Sequence, residues 1–437
     1  MNVRRISSLQ AYRASILHLE ADPITTDGEA HAFHEDGLLL VEDGRVVACG
    51  DYAKLADELG DVVVEDLSGK LIVPGFVDTH IHFPQVDVIA AHGEQLLDWL
   101  ERHTFPAEAA FADKGHAEET AEFFVEELLR NGTTSALVFG SVHKTSVEAL
   151  FASALRRDMR VIAGKALMDR NAPPGLTDTV ESSRADMQSL IADWHGKGRL
   201  GYAVTPRFAI SCSDEQLAMA GEVLAQHPTV WMQTHLSENI REIVDTAKLF
   251  PEAKDYLDVY DRFGLVGKRS VFAHCVHLQG EAFQRLANAG SSVAFCPTSN
   301  LFLGSGLFPL ETACAHGVKV GIGTDVGAGT TFSILHTLGE AYKVGQLRGE
   351  ALDPFHALYL ATLGGARALG LEDEIGSLER GKIADFLVLD LAATPLLARR
   401  MPAARSLEDR LFALTVLGDD RVVERTYVAG VERYRRA

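Results

Sequence analysis

Apolar and polar positions give the ends of this chain a different texture from its middle. Near the start, residues 14–19 and 37–41 read as short apolar strands, and Asp43-Gly44 turns the second into 45–49, a hairpin signal. The same texture returns at 382–389 and 422–428. Two β-rich ends predict one small composite β-sandwich domain, assembled from residues 1–69 and 377–437. Between them, residues 70–376 alternate strand and helix. Apolar runs at 133–140, 160–166, 201–206, 230–235, 270–274, 292–297 and 318–325 join the run before His80 to make eight strands. Ala121, Phe124, Val125, Leu128 and Leu129 recur at i, i+3, i+4, i+7 and i+8, one apolar helical face, and Asn131-Gly132 stops it. Eight strands alternating with helices predict an α/β fold, a (β/α)8 TIM barrel with its active site at the C-terminal ends of the strands.

That rule turns strand ends into candidates. The run 71–73 is broken by Pro74-Gly75 and resumes at Phe76-Val77, so His80 and His82 fall near the end of a short strand. Residues i and i+2 of a strand point to the same side, so both imidazoles can reach one ion. A bare His-x-His is too short a pattern to carry a site. The other ends, however, supply Arg207 and Phe208, then His235, His274 and Asp325. Four histidines and an aspartate gathered at strand ends exceed what packing explains. Three imidazoles and a carboxylate leave an open position on Zn²⁺ or a similar ion, which lowers the pKa of a bound water toward neutrality. Metal-assisted hydrolysis is the expected reaction class. Glu238 follows His235 in His-Leu-Ser-Glu, where it can shuttle a proton. The competing reading is a first-turn helix glutamate favoured by the helix dipole.

Composition narrows the partners. A formal charge of −20 argues against nucleic acid and anionic membrane surfaces. Arg4 and Arg5 lead into no apolar stretch of signal-peptide type, and no run approaches a membrane span. Cys49, Cys212, Cys275, Cys296 and Cys314 show no Cys-x-x-Cys spacing and fit reduced thiols in a cytoplasmic protein.

In this order, His-x-His, Thr-His-Leu-Ser-Glu, Phe-Ala-His and Gly-Thr-Asp resemble the amidohydrolase superfamily, in its mononuclear deaminase and chlorohydrolase branch. The stretches 78–85, 97–108, 204–208, 296–301, 323–326, 361–366 and 376–382 are similar to the narrower guanine deaminase family. The likeness spans nearly the whole chain, with least to hold on to before about residue 37 and after about residue 390. The metal motif is specific to the superfamily only. Pro206-Arg207-Phe208 and the run Thr104 to Glu108 point to the narrower family.

The resemblance implies one divalent metal per subunit, Zn²⁺ first and Fe²⁺ second, held by His80, His82, His235 and Asp325. It makes Glu238, His274 and Asp325 catalytic, and sets Gln85, Arg207, Phe208, His235 and Glu238 against the substrate. The implied activity is hydrolytic deamination of guanine to xanthine and ammonia, within purine catabolism or salvage, by a homodimer. Residue chemistry agrees: guanine O6 is an acceptor, which suits the fixed donor fork of Arg207, and Gln85 can both donate and accept. Phe208 and Trp99 are candidates to cover a ring face, with core packing the readier fate of Trp99.

Other motifs compete. Lys165 could be a carboxylated bridge between two metals, but it lies on the third strand, whereas the bridging lysine of hydantoinase-like relatives is on the fourth. His116-Ala117-Glu118 imitates the zinc-deaminase His-x-Glu, but no Pro-Cys-x-x-Cys follows; it reads as the start of a helix. The alternative functions are another deaminase or chlorohydrolase of the branch, acting on a triazine, pterin or adenosine-like ring, and a non-catalytic metal-binding scaffold.

Overall fold

The computed structural model describes residues 9–26, 30–92 and 95–437; Arg4 and Arg5 lie outside them. The chain opens with β1 (Gln10–Leu19), β2 (His31–Glu42), β3 (Arg45–Asp51) and β4 (Val64–Pro74). The middle supplies β5 (Phe76–His82), β6 (Thr133–Phe139), β7 (Arg160–Gly164), the two-residue β8 (Ala166–Leu167), β9 (Gly201–Pro206), β10 (Trp231–Leu236), β11 (Ser270–His274), β12 (Ser292–Phe295) and β13 (Lys319–Ile322). Last come β14 (Phe386–Leu389), β15 (Val423–Val428) and β16 (Val431–Arg435).

Both ends of the chain meet in one seven-stranded sheet of order β16-β15-β14-β4-β1-β2-β3. Only β1 and β4 pair in parallel. In place of two separate leaves, this single sheet doubles over on itself: Arg45 bridges Ile383, and the Val46 N–H donates to the Lys382 carbonyl (2.9 Å). Tyr12, Ile16, Leu39, Ile72, Phe386 and Tyr427 fill the fold so made. The Phe386 and Tyr427 rings stack at 4.2 Å, and Tyr12 meets both edge-on, the geometry that ring quadrupoles favour.

The apolar run 71–73 belongs to this sheet through β4, which continues past residue 69 to Pro74. Gly75 marks the seam with β5. A Cβ there would stand 2.1 Å from Thr134 Oγ1, so no larger residue fits. Beside the seam Arg199 and Asp385 form a buried ion pair, and the Gly75 N–H donates to the Asp385 carbonyl (2.9 Å).

All eight expected middle strands are present and parallel, in the order β5-β6-β7-β9-β10-β11-β12-β13, with β8 extending the pairing to β9. The ring closes just beyond β13. There the Asp325 N–H donates to the His80 carbonyl and the His82 N–H to the Val326 carbonyl, each at 2.9 Å. The helix Lys114–Arg130 buries the expected face, including Ala121, Phe124, Val125, Leu128 and Leu129. Asp113 caps its start by accepting from the His116 N–H (2.8 Å), a contact worth about 1 kcal/mol. Gly132, at φ +81°, ends it, a conformation that favours glycine.

Helices Pro395–Arg400 and Leu407–Leu417 interrupt the β-rich C-terminal stretch, and the second packs on Ile334–Arg348 and Pro354–Ala361. Among the described residues no helix is long and apolar enough to cross a membrane. All five cysteines are free.

Candidate active site

The barrel strands deliver their polar ends to one mouth. On β5, His80 and His82 lie two residues apart; His235 is on β10, and Asp325 follows β13 by three residues. One ligand atom from each of these four lies within 4.8 Å of the others. His80 Nε2 and His82 Nε2 stand 3.2 and 3.3 Å from Asp325 Oδ1, and His82 Nε2 stands 3.1 Å from His235 Nε2. The backbone turns abruptly to achieve this. Ser237, His274, Cys275 and Asp325 all hold φ between +51° and +73°, which non-glycine residues rarely adopt and which clusters at functional sites.

The donor set fits a divalent ion. The His235 Nδ1–H donates to the Arg207 carbonyl (2.6 Å), which leaves Nε2 with its lone pair toward the cluster. The Nε2 atoms of His80 and His274 are buried without a hydrogen-bond partner. Burial, reinforced by neighbouring imidazoles, lowers the pKa of His80, holds His82 at about 4 and His235 well below its usual value. Burial alone would raise Asp325, but His80, His82 and His274 outweigh it and hold the carboxyl far below the carboxylate range. Neutral imidazoles and an ionised carboxylate are the protonation states that ion binding requires.

Cys296 also approaches His80, His274 and Asp325. Burial pushes its thiol well up, however, so it is poorly suited to thiolate ligation. Beneath the cluster Asp78 accepts from the N–H groups of His80 (3.1 Å) and Thr324 (3.2 Å) and from the Thr324 hydroxyl (2.5 Å), bracing β5 against the turn that carries Asp325.

Above the cluster is a small cavity. It brings together His82, Gln85, Arg207, Phe208, His235, Glu238, His274 and Asp325, with His80 behind them. Trp99 is 1 % exposed in a cluster with Leu96 and Phe208, as core packing requires, and it also lines the cavity. Glu238 is buried. Its Oε1 accepts from the Ser305 hydroxyl (3.0 Å), and its Oε2 lies 3.5 Å from His274 Nε2. Burial, helped by the charge on Asp325, raises its pKa to about 8 against the opposing Ser305 hydrogen bond. Glu238 is not a solvated first-turn helix residue. His274 is oriented by Asn300, whose Oδ1 lies 2.9 Å from Nδ1.

Arg207 and Gln85 share one partner that the sequence did not single out for a role. Arg207 Nη1 donates to both carboxylate oxygens of Glu108 (2.8 and 2.6 Å), and Gln85 Nε2 donates to Glu108 Oε1 (3.0 Å). The only sequence signal for Glu108 was its place in the run 104–108. Asn300 had the same kind of signal, its place in the stretch 296–301, and Ser305 had none. Lys165 does not line the cavity; it is buried in an ion pair with Asp178. His116 sits in the first turn of Lys114–Arg130 against Phe111, as a helix start should.

Comparison with known proteins agrees with this geometry. The amidohydrolase family matches residues 71–433. Guanine deaminase of Escherichia coli is 52 % identical over 98 % of both chains. The solved E. coli guanine deaminase superposes with a TM-score of 0.94 at 51 % identity, covering 98 % of this chain and all of that one. A C. acetobutylicum guanine deaminase solved with guanine in its active site gives 0.88 at 30 % identity, with the same coverage. A barrel with this donor set at its mouth, matched over 363 residues by one family and over nearly its whole length by such relatives, leaves one assignment: the chain belongs to the amidohydrolase family.

Proposed function

We propose that this chain is a guanine deaminase, converting guanine and water to xanthine and ammonia. One observation carries the reading: a buried arginine and a buried glutamine are tied to the same carboxylate at the wall of a cavity whose floor is the His80, His82, His235 and Asp325 cluster. Arginine N–H groups beyond the Glu108 contact are suited to the O6 acceptor, and Gln85 to a neighbouring purine edge. A ring without a carbonyl at that position gains little from Arg207. We assign Zn²⁺ as the ion, with Fe²⁺ second, to an N₃O donor set. A cytoplasmic homodimer completes the proposal.

The reaction needs a nucleophile at C2 and somewhere for three protons to go. His80, His82, His235 and Asp325 would hold a divalent ion, which when bound would lower the pKa of a water at this site. His274, fixed by Asn300, orients that water toward C2. As the O–C2 bond forms, Glu238 gives its proton to N3, so the C2=N3 electrons settle on nitrogen. Asp325 takes the water proton and hands it to the departing amine, and the C2–N bond breaks. The remaining hydroxyl proton returns to Glu238 as the C2 carbonyl forms, which restores the acid.

The direct test offers guanine, adenine, cytosine, a pterin and an aminotriazine in parallel and measures ammonia. The expected result is release from guanine with xanthine as product. Release from another ring alone would discard the substrate and keep the fold. The protonation of Glu238 gives a second expectation. With a pKa of about 8, the acid form predominates below that value and falls about tenfold per pH unit above it. An alkaline limb near 8 should appear in kcat/KM for guanine. A rate still climbing one unit higher would remove Glu238 from the acid role.

A further inference from the structure

Glu108 is fully buried, and among the described residues its side chain hydrogen-bonds to the two residues proposed to read the purine. Its carboxylate meets Arg207 Nη1 with both oxygens and takes one Gln85 N–H. The Gln85 Oε1 in turn accepts from the Gly327 N–H (3.3 Å), so the direction of the Gln85 amide is fixed at both ends. A Cβ on Gly327 would stand 2.4 Å from the Gln85 carbonyl, so the loop after β13 closes tightly against this residue. Phe105, one helical turn before Glu108, lies under the Arg207 guanidinium at 5.5 Å. The serine hydroxyl of Ser141 donates to the Glu108 backbone carbonyl (3.0 Å), holding the segment from a second side.

The consequence is electrostatic as well as geometric. A buried guanidinium facing a ligand attracts anions; one whose charge is matched by a buried carboxylate keeps its donors and loses that net charge. We infer that Glu108 is a specificity-determining positioning residue that makes the purine pocket select a neutral ring over an ionised one. This rests on the guanine reading and deepens it. Guanine is neutral near neutral pH. Deamination replaces its amidine by a second carbonyl and leaves an N–H between electron-poor centres, so the oxopurine product sheds a proton more readily. A charge-matched Arg207 therefore favours the substrate and gives the ionised product no ion pair to cling to.

The test compares binding of hypoxanthine, a neutral purine carbonyl, with that of urate, a purine anion, by calorimetry on the metal-loaded protein. Glu108→Gln should weaken hypoxanthine and guanine (as KM) and tighten urate, moving the urate-to-hypoxanthine ratio by about 10- to 100-fold, the range for hydrogen bonds to charged groups. The double variant Glu108→Gln/Arg207→Gln, neutral at both positions, should lose the anion preference again. A merely structural role would weaken both ligands together, and that outcome overturns the inference. If Glu108→Gln does not fold, the wild-type protein decides: it should bind hypoxanthine more tightly than urate, and the reverse order overturns the proposal. Calorimetry needs no turnover. Absence of guanine deamination by the wild type would therefore defeat the functional reading separately, while the ratio still reports on Glu108.

Discussion

Glu238→Gln should keep its metal and lose guanine turnover by at least about 10²-fold, the lower bound for removing a positioned general acid. The substitution is close to isosteric, and its amide oxygen can still accept the Ser305 hydroxyl that now bonds Oε1. What it removes is the proton that Glu238 holds at its raised pKa of about 8, lifted by burial and by the charge on Asp325. Glu238 is not among the four clustered donors, so metal content should stay stoichiometric. The loss should fall on kcat, with KM nearly unchanged, because the missing proton transfer belongs to the transition state. Steady-state kinetics with metal analysis on the same preparation checks this. Turnover within a few-fold of wild type would end the role of Glu238 as the acid.

The second large effect lies far from the chemistry, at the seam between the two sheets. Asp385→Ala leaves Arg199 buried without its partner. The pair is tied into three stretches of chain. Arg199 Nη1 donates to Asp385 Oδ1 and to the Asp158 carbonyl, each at 3.0 Å. The Ala429 N–H donates to Asp385 Oδ1 (2.8 Å), and the Asp385 backbone holds Gly75. Breaking a buried pair by removing one partner costs about 3–5 kcal/mol, because the remaining charge is stranded. Denaturant unfolding should show a loss of that order. Asp385→Asn, which keeps hydrogen-bonding capacity, should lose less. The KM for guanine of the folded fraction should not change. An unaltered unfolding midpoint for Asp385→Ala would show that the seam is held by packing alone.

The barrel was legible because its strands are short apolar runs, several of which lead into a polar residue with no business in a core. His80, His82, His235, His274 and Asp325 announced themselves by type and position, and the barrel rule supplied the geometry. Glu108 could not be read this way. Its meaning depends on Arg207, 99 residues later, and nothing in the local pattern distinguishes a buried carboxylate from a surface one. Ser305 acts on Glu238 from a loop and Asn300 on His274 from the short helix Pro297–Phe302, and neither period nor spacing marks them. Strand β4 was missed for a different reason. Its apolar residues 71–73 run almost unbroken into those of β5, and only the pairing with β1 and β14 shows which sheet they serve. The curled single sheet was likewise hidden, since alternation within a strand says which face is apolar and not whether that face meets another sheet or the far half of its own.

Strand β4 sits between β1, made early, and β14, which is more than 300 residues further along the chain. On the ribosome this separation matters. A nascent chain can pair β1 with β4 as soon as both have emerged, but the opposite edge of β4 has no partner until synthesis has passed the barrel and reached residue 389. For that interval an apolar strand with open backbone groups faces solvent, the situation that invites edge-to-edge association. The last strands of the chain thus serve as a cover for one of the first, and the risk of misassembly during translation is set by how long the barrel takes to be made.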